Sequence, residues 1–519
     1  MRNETKCCVR IPSARRLQGF GFLPLYAIIV LLALFGLDGC GGKSTQNTQP
    51  ASASADEFTI IALPDTQYYS RDFPGIFRAQ TQWIADHVQD QNIKLVLGLG
   101  DIVDDGTDPV QWQNADSAVS ILDGQVPYLM AIGNHDYANA KPAARTAGAQ
   151  GFNQFFGPSR YSGASWYKGN FQGSNENFYG VLNINGRNFL ILVLEFDARD
   201  SALAWADGIL SANQDKDAII VTHSFTFTDN TRMSRCDANS AASFGVGQDN
   251  DGEDMWWKLV RKYANVRMVL SGHVNTSDGT GHRVDLGANG NLVNQMLSDY
   301  QSEALGGGGY LRILKISPSL NQISVSTYSP YLNEFKTDDH NQFVVPYVAQ
   351  GSSSSMGSIN GLVKDVVTCQ PVAGVNVSIS GGSATSAADG TFSIAAPAME
   401  SLRISASKSG DASDGRFATS TANPSQPSPT KIFVSSAGHV SGFVTSSSGA
   451  AISGATLRFS GGDLRFNTSV TTDSRGFYDS GPIGTGQYAI SVSATGHSGA
   501  KTNTSVIAGS SLTLDLTLQ

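Results

Sequence analysis

The sequence predicts a layered α/β domain followed by two small all-β domains. From residue 57 onward, apolar strands alternate with amphipathic helices and a polar cluster follows each strand, the pattern of a layered α/β fold. Beyond residue 356, two similar segments about 80 residues apart carry short alternating strands and glycine turns, as small β-sandwiches do. A chain of 519 residues is also too long for one hydrophobic core, so several domains are expected.

The N-terminal segment has the features of an export signal. Arg10, Arg15 and Arg16 precede an apolar run over residues 22–37, which is too short to be a good membrane-spanning helix. The run ends at Leu37-Asp38-Gly39-Cys40, which resembles a bacterial lipoprotein signal, so we expect residues 1–39 to be a signal peptide and Cys40 to carry membrane-anchoring lipid. Residues 40–56 would then be a flexible tether. A plain signal peptide or an uncleaved anchor is the alternative.

Charge and cysteine content narrow the choice of partners and compartment. The net charge is −9 and the sequence has no long basic patch, so no surface for a nucleic-acid backbone is evident. Cys7 and Cys8 would leave with the signal, which leaves Cys236 and Cys369 in different predicted domains. Whether these two are free or form a disulfide stays open, since no spacing pattern supports a bond. We expect an outer-membrane or cell-surface lipoprotein, otherwise a periplasmic or secreted protein.

Hydrophobic periodicity predicts the elements of the α/β domain in order. The predicted strands are 58–63, 95–99, 128–132, 177–182, 189–194, 218–222, 266–270, 311–316 and 323–328. The predicted helices are 76–91, 110–122 and 255–263. Residues 152–177 are predicted as an aromatic-rich loop and residues 351–355 as a linker. The predicted domains are therefore 57–350 for the α/β domain, 357–435 for the first β module and 437–519 for the second.

Polar clusters follow five of these strands. They are Asp65-x-Gln67, Gly100-Asp101-x-x-Asp104, Gly133-Asn134-His135-Asp136, His223 and Gly272-His273-x-Asn275. A glycine after a buried strand lets the backbone turn sharply and presents the next side chain at the carboxyl end of the sheet, where open α/β sheets hold ligands. Carboxylates, amides and imidazoles that meet there make a plausible metal site.

The order of these clusters resembles the calcineurin-like metallophosphoesterase superfamily, over about residues 58–331. The Pro-Asp-Thr-Gln opening resembles an exported bacterial branch of it. The resemblance implies a four-layer α/β/β/α sandwich and two divalent metal ions that share a bridging hydroxide. It implies hydrolysis of a phosphate mono- or diester without a covalent enzyme intermediate. The identity of the phosphate-ester substrate stays open.

The resemblance also implies which residues bind metal. Asp101 would bridge the two ions. The first metal would be bound by Asp65, Gln67, Asp101 and Asn275, and the second by Asp101, Asn134, His223 and His273. Gln67 and Asn275 stand where the family usually has histidine, so the first site would be rich in oxygen. Such a site favours Mn, Fe(II), Mg or Ca, whereas the second would suit Zn, Mn or Fe.

His135 and Asp104 are the implied catalytic pair. By resemblance, His135 lies beside the scissile bond, where it stabilises phosphoryl oxygens or protonates the leaving alkoxide. Asp104 would orient its ring and raise its pKa. The alternative is that Asp104 only caps the following helix.

Several other side chains are open to two interpretations. Arg232 and the loop aromatics either overhang the metals or pack within their own loops. His282 and Arg283 follow the last predicted ligand closely enough to contact substrate phosphate. The acidic patch over residues 249–254 either binds calcium or forms a turn and a helix N-terminus.

Both β modules resemble carboxypeptidase regulatory-like domains, the second more closely than the first. They contain no catalytic cluster, and glycan or protein contacts through them are possible. An alternative to an enzyme is a surface binding lipoprotein with a degenerate, non-catalytic metal site, which Gln67 and Asn275 favour. His135 favours the enzyme, because a pure binding protein has no need of an imidazole beside the metals.

Overall fold

The structure, a computed structural model, describes most of the chain beyond the N-terminal segment. The described residues are 56–138, 148–244, 250–349, 356–420, 429–465 and 467–519. The predicted signal peptide, Cys40 and the linker at 351–355 lie outside them. Among the described residues, no helix has both the length and the apolar character that crossing a membrane requires.

The α/β domain contains two seven-stranded sheets and short helices. Its strands are β1 (Phe58–Leu63), β2 (Ile93–Gly98), β3 (Tyr128–Met130), β4 (Tyr167–Phe171), β5 (Ser174–Ile184), β6 (Arg187–Leu194), β7 (Asp217–Thr222), β8 (Val266–Ser271), β9 (Thr280–Leu286), β10 (Leu292–Ser298), β11 (Leu311–Ser317), β12 (Gln322–Ser329), β13 (Glu334–Lys336) and β14 (Phe343–Val345). Its helices are α1 (Gln67–Arg71), α2 (Pro74–Asp86), α3 (Pro109–Val119), α4 (Gln150–Phe156), α5 (Pro158–Tyr161), α6 (Asp200–Ala212), α7 (Gly252–Lys258) and α8 (Ala304–Gly307).

The two sheets and the helices form four layers. The first sheet has the order β13-β12-β11-β1-β2-β3, with β14 also paired to β12, and the second has the order β4-β5-β6-β7-β8-β10-β9. Side chains from β1 and β2 pack against β6 and β7 in a core between the sheets. Helices α2 and α3 cover the outer face of the first sheet, and α6 and α7 cover that of the second. The predicted α/β/β/α sandwich is confirmed.

The parallel strands place their carboxyl ends along one edge of each sheet. β1, β2 and β3 are mutually parallel neighbours in the first sheet, and β6, β7, β8 and β10 are so in the second. The predicted polar clusters after β1, β2, β3, β7 and β8 therefore meet at adjoining edges.

The largest difference from the predicted elements lies at residues 152–177. This segment contains α5, β4 and most of α4, and the side chains of Phe152, Phe156 and Tyr161 are buried in the core. Phe155 stacks on Trp112 with ring centroids 6.0 Å apart. These aromatics therefore pack within the protein. The sequence interpretation also omitted α6, β9 and β10.

The C-terminal region is all β, as predicted. Its strands are β15 (Met356–Asp365), β16 (Asn376–Ile379), β17 (Gly382–Thr385), β18 (Thr391–Pro397), β19 (Ser401–Ser407), β20 (Asp411–Ser413), β21 (Arg416–Thr419), β22 (Thr430–Ser446), β23 (Thr456–Gly461), β24 (Thr468–Thr471), β25 (Phe477–Asp479), β26 (Ile483–Gly484), β27 (Gly486–Ser493), β28 (Ala500–Val506), β29 (Ser511–Thr513) and β30 (Leu516–Leu518). Each module has its own apolar core, as a sandwich-type domain requires.

One strand runs through both modules. The first part of β22 pairs in parallel with β15, from Thr430 opposite Gly361 to Val434 opposite Asp365. Its second part pairs with β25, β26, β29 and β30. The boundary expected at residue 436 thus falls inside a continuous strand.

Cys236 and Cys369, whose state the sequence left open, form a disulfide across 133 residues of chain. The bond joins the loop after β7 to the first module. It is a covalent link between the α/β domain and the β region.

Candidate metal centre

Three strand ends bring a carboxylate and two imidazoles together. Asp101 follows β2, His223 follows β7 and His273 follows β8. All three are buried, and one ligand atom from each lies within 4.8 Å of the others. This spacing is what a shared cation requires, and the three residues form a possible metal-binding triad.

Glycines permit this close approach. Gly100 has φ +103° and Asp101 φ +47°, so the backbone turns through two left-handed residues directly after β2. A Cβ on Gly133 would lie 2.1 Å from Asp101 Oδ1, and one on Gly272 would lie 2.3 Å from Asp65 Oδ2. The glycines that mark the clusters in the sequence are therefore needed for space as well as for turning.

Backbone carbonyls fix which ring nitrogens face the centre. His223 Nδ1 lies 2.8 Å from the Leu99 carbonyl, and His273 Nε2 lies 2.7 Å from the Asn239 carbonyl. A carbonyl only accepts, so each of these nitrogens carries a proton, and in the neutral ring the other nitrogen holds the lone pair that a cation would take. His223 Nε2 lies 3.1 Å from Asp101 Oδ2 and 3.7 Å from Asp65 Oδ1.

Among the remaining predicted ligands, Asp65, Gln67 and Asn134 are buried just after β1 and β3, and Asn275 is half-buried. Asp65 is buried and accepts from the His273 backbone N–H at 3.2 Å. Gln67 donates a hydrogen bond from Nε2 to Gln301 Oε1, so its own Oε1 is the side-chain atom available to bind a metal. Asn134 is buried directly after Gly133. Asn275 is half-buried, and its one described hydrogen bond is from Ser302 Oγ to its backbone carbonyl, so no described contact ties its side chain to the triad.

The site fits divalent cations. Four buried atoms around it have no hydrogen-bond partner within the described chain: Gln67 Oε1, Asn134 Oδ1, His223 Nε2 and Asp299 Oδ2. Buried polar atoms without partners are costly, and these are oxygen and nitrogen atoms with lone pairs to give. Cations bound among them would satisfy these atoms.

Electrostatics agree with a cation site. Burial opposes the charged form of His223, but Asp101 and Asp65 outweigh it and raise its pKa to about 10. Burial, followed by the charge of Asp299, raises the pKa of Asp65 well above its ordinary value. Burial raises the pKa of Asp299 to about 7. In the metal-free site, bound protons thus take the place of metal cations, and cation binding would release these protons.

His135 lies at the open side of the centre, with its side chain 33% exposed. Its backbone N–H donates to Asp101 Oδ1 at 2.9 Å, and its ring Nδ1 lies 2.8 Å from the Asp104 carbonyl and 3.5 Å from Asp104 Oδ1. Burial lowers its pKa, but Asp101 and then Asp104 raise it above the ordinary value. The helix-cap alternative for Asp104 does not hold, because Asp108 caps α3 by accepting from Val110 N–H.

The open interpretations of other side chains are resolved by their partners. Arg232 is buried and pairs with Glu253 and Asp285, so it does not overhang the centre. Arg283 also pairs with Asp285. Within the acidic patch, Asp251 caps α7 by accepting from Asp254 N–H, which favours the helix N-terminus over a calcium site.

Four residues near the centre were not assigned by sequence. Asp299 follows β10, and the signal that could have found it is the same strand-then-polar pattern. Asp136 accepts from the Ile102, Val103 and Gly133 N–H groups and ties two loops together. Arg71 pairs with Asp104, and Asn239 holds His273; no local sequence signal marks either role.

Comparison with known proteins identifies two domains. Residues 58–276 match the calcineurin-like phosphoesterase family, and residues 439–519 match the carboxypeptidase regulatory-like domain family. An uncharacterized protein of Bacillus subtilis (strain 168), YvnB, is 34% identical over 292 residues, which are 55% of this chain and 21% of that protein. The chain therefore spans about a fifth of the length of that relative.

Two examples represent the solved structures that are similar to this chain. A purple acid phosphatase from yellow lupin (Lupinus luteus) seeds has 14% identity and a TM-score of 0.37, covering 57% of this chain and 55% of its own. The anchor in the inner membrane complex of Plasmodium has 12% identity and a TM-score of 0.35, covering 57% and 89%.

Proposed function

Because the chain contains a calcineurin-like phosphoesterase domain over residues 58–276, we propose that it is an exported, metal-dependent phosphoesterase that hydrolyses phosphate mono- or diesters. The observation that carries the proposal is the triad of Asp101, His223 and His273, surrounded by buried acceptor atoms without hydrogen bonds. No sandwich core needs such a cluster, whereas a metal centre does.

Two divalent cations would be held by overlapping sets of residues, with Asp101 common to both. Asp65 and the Gln67 carbonyl oxygen would serve the first cation, and Asn134, His223 and His273 the second. Asn275 is the weakest member of the first set, because the family resemblance supports it but no described side-chain contact does. Asp299 is a further candidate for the first cation, since its charge acts on Asp65.

The chain's own residues supply positioning and a proton. When bound, divalent cations polarise phosphoryl oxygens and lower the pKa of water. Asp101 is held for its shared role by the His135 N–H on Oδ1. His135, partly exposed and with a raised pKa, is placed to donate a proton from Nε2 to the leaving alkoxide, while Asp104 holds Nδ1.

The disulfide supports export. Disulfides persist in oxidising compartments and are rare in the bacterial cytosol. Cys236 and Cys369 are therefore in keeping with a protein that is attached outside the cytoplasm through Cys40.

Hydrolysis of paired nitrophenyl phosphate mono- and diesters tests the proposal. The metal-stripped full chain, purified in mild detergent, would be assayed with Mn, Zn, Fe(II), Mg and Ca in turn, with Asp101→Asn as the control. We expect metal-dependent turnover that the substitution abolishes, and the preferred ester would narrow the substrate class. A folded chain that binds at most one ion and hydrolyses neither ester would contradict the proposal and favour the binding lipoprotein.

A further inference from the structure

A tight turn over residues 234–240, the Asn239 turn, lies between the metal centre and the first β module. Asp237 organises it by accepting from the Ser234 N–H and Oγ, both at 2.8 Å. Asn239 has φ +64°, a left-handed conformation that asparagine tolerates better than most residues. Its carbonyl accepts from His273 Nε2 at 2.7 Å.

This carbonyl determines which ring nitrogen of His273 faces the other two members of the triad, Asp101 and His223. With the proton on Nε2, Nδ1 is the ring nitrogen that holds a lone pair. Hydrogen bonds of this kind fix the tautomer and the ring orientation of histidines that bind metal, and their loss weakens metal binding. The position of the Asn239 turn therefore bears directly on the proposed second cation.

The first module holds the turn by two contacts, at Cys236 and Asp237, which shortly precede Asn239 in the chain. Cys236 is bonded to Cys369 of that module. Lys431, at the start of β22, places Nζ 2.7 Å from both carboxylate oxygens of Asp237, and both side chains are almost completely buried. A buried ion pair is strongly disrupted when one partner is removed, because the remaining charge is left without compensation.

Apolar packing supports the same junction. Cys236 lies against a cluster of Val366, Ala412 and Phe433 from the first module, with Leu464 from the second. The turn thus has a covalent, an ionic and an apolar attachment to the β region, all within three residues of Asn239. An appended tether would not need a buried charge pair at this point.

We infer that the first β module is part of the metal-site scaffold, with Lys431, Asp237 and the Cys236–Cys369 disulfide as positioning residues for His273. The inference rests on the proposed function, since it concerns the same centre. A scaffold role goes beyond the glycan or protein contacts that the sequence leaves open for the modules.

The test compares variants of the full chain by two measurements that do not depend on turnover. Mn²⁺ affinity is measured by calorimetry, and the protonated ring nitrogen of His273 is identified by ¹⁵N NMR of the metal-free chain labelled at histidine. Lys431→Met should weaken Mn²⁺ binding roughly tenfold or more and disturb the Nε2–H signal of His273, by loss of the outer hydrogen bond. Lys431→Arg, which keeps the positive charge, should retain both the wild-type Mn²⁺ affinity and the wild-type Nε2–H signal of His273.

A matched control removes a module contact away from the turn. Thr419 Oγ1 accepts from the Leu286 N–H at 2.8 Å, so Thr419→Val breaks a junction hydrogen bond without touching residues 234–240. It should leave Mn²⁺ affinity and the His273 signals unchanged. Equal losses in Thr419→Val and Lys431→Met would overturn the inference, because they would indicate general loosening of the junction.

If Lys431→Met does not fold, the disulfide provides a second test of the inference. The disulfide of the folded wild-type chain is reduced and alkylated, excess reagent is removed, and both measurements are repeated. Unchanged Mn²⁺ affinity and an unchanged His273 tautomer would sink the inference. If the wild-type chain binds Mn²⁺ but hydrolyses no ester, and the variants or the reduced chain change Mn²⁺ affinity as expected, the proposed function fails while the positioning role stands.

Discussion

Arg71 Nη1 lies 2.6 Å from Asp104 Oδ2, so the carboxylate that faces His135 is also paired with a cation. Arg71 stacks over the Tyr68 ring at 4.4 Å and is 40% exposed at the open side of the centre. The imidazole of His135 donates its 2.8 Å hydrogen bond from Nδ1 to the Asp104 carbonyl, while Arg71 compensates part of the charge of the Asp104 carboxylate. The Arg71–Asp104 ion pair therefore influences the pKa of His135.

Replacing Arg71 by methionine should shift the alkaline limit of activity upward. Loss of the cation leaves the Asp104 charge uncompensated, which favours imidazolium and raises the pKa of His135. A general acid is lost as pH rises through its pKa, so this limb of the kcat/KM profile should move up by roughly 0.5–1 pH unit. Arg78→Met, on the exposed face of α2, serves as the control. A downward shift or none would contradict the proton-donor assignment of His135.

His135→Ala should lower kcat by roughly 10²- to 10⁴-fold while the metal content stays near that of the wild type. The reason is that His135 reaches the centre through its backbone N–H, which alanine retains. His223→Ala, by contrast, should lose bound metal. Metal analysis beside single-turnover rates makes the comparison, and parallel loss of metal in both variants would refute the distinction.

Gln67→His should change the metal preference of the first site. An imidazole in place of an amide oxygen adds a nitrogen ligand, which suits Zn²⁺ better than Mg²⁺ or Ca²⁺, so Zn²⁺ affinity should rise roughly tenfold. Competition titration with a chromogenic chelator measures it, with Gln82→His on the exposed side of α2 as the control. An equal gain in both variants would mean that the added imidazole binds Zn²⁺ without regard to the site.

Gly133→Ala should release metal because the new Cβ would lie 2.1 Å from Asp101 Oδ1 and would displace this carboxylate. Overpacking of this kind also costs roughly 1–3 kcal/mol of unfolding free energy. Gly75→Ala in α2 meets no atom within 4 Å and should be neutral or stabilising. Metal content and thermal unfolding of the two variants check this. Full metal occupancy in Gly133→Ala would show that Asp101 has more freedom than the packing indicates.

Asp251→Asn should flatten the pH dependence of stability. Burial, followed by the charge of Asp254, raises the pKa of Asp251 in the folded chain from 3.8 to about 7. A raised folded-state pKa gives stability that is present below pH 3.8 and is lost as pH rises through 7, by up to roughly 4 kcal/mol. Asparagine caps a helix as well as aspartate does. Urea unfolding at pH 5 and pH 8 should therefore favour the variant at pH 8, and a wild-type advantage there would contradict the assignment.

Local signals marked the strand ends that carry the triad, and the family resemblance assigned these residues as metal ligands. A buried strand followed by a glycine and a polar residue is written in consecutive residues, as at Asp101, and parallel strands bring such positions together. His273 follows the same rule. The four-layer architecture came from the resemblance that these motifs carry, and it is confirmed by the two sheets and their helices.

The residues that sequence did not assign act through distant partners. Arg232 is buried because Glu253 and Asp285, remote in sequence, compensate its charge. Lys431 finds Asp237 across 194 residues. Asp299 was missed because β10 was missed. Periodicity records what a residue prefers locally, whereas these roles depend on which chain segments the fold makes neighbours.

The continuous strand β22 has a mechanical consequence. Because β22 pairs with β20 through Ser436 and with β26 from Ala437 onward, bending between the modules would require breaking backbone hydrogen bonds of these two ladders. The two modules should therefore move together as one rigid unit under mechanical force. The segment between them should also resist proteolysis, because it is a paired strand and not a hinge.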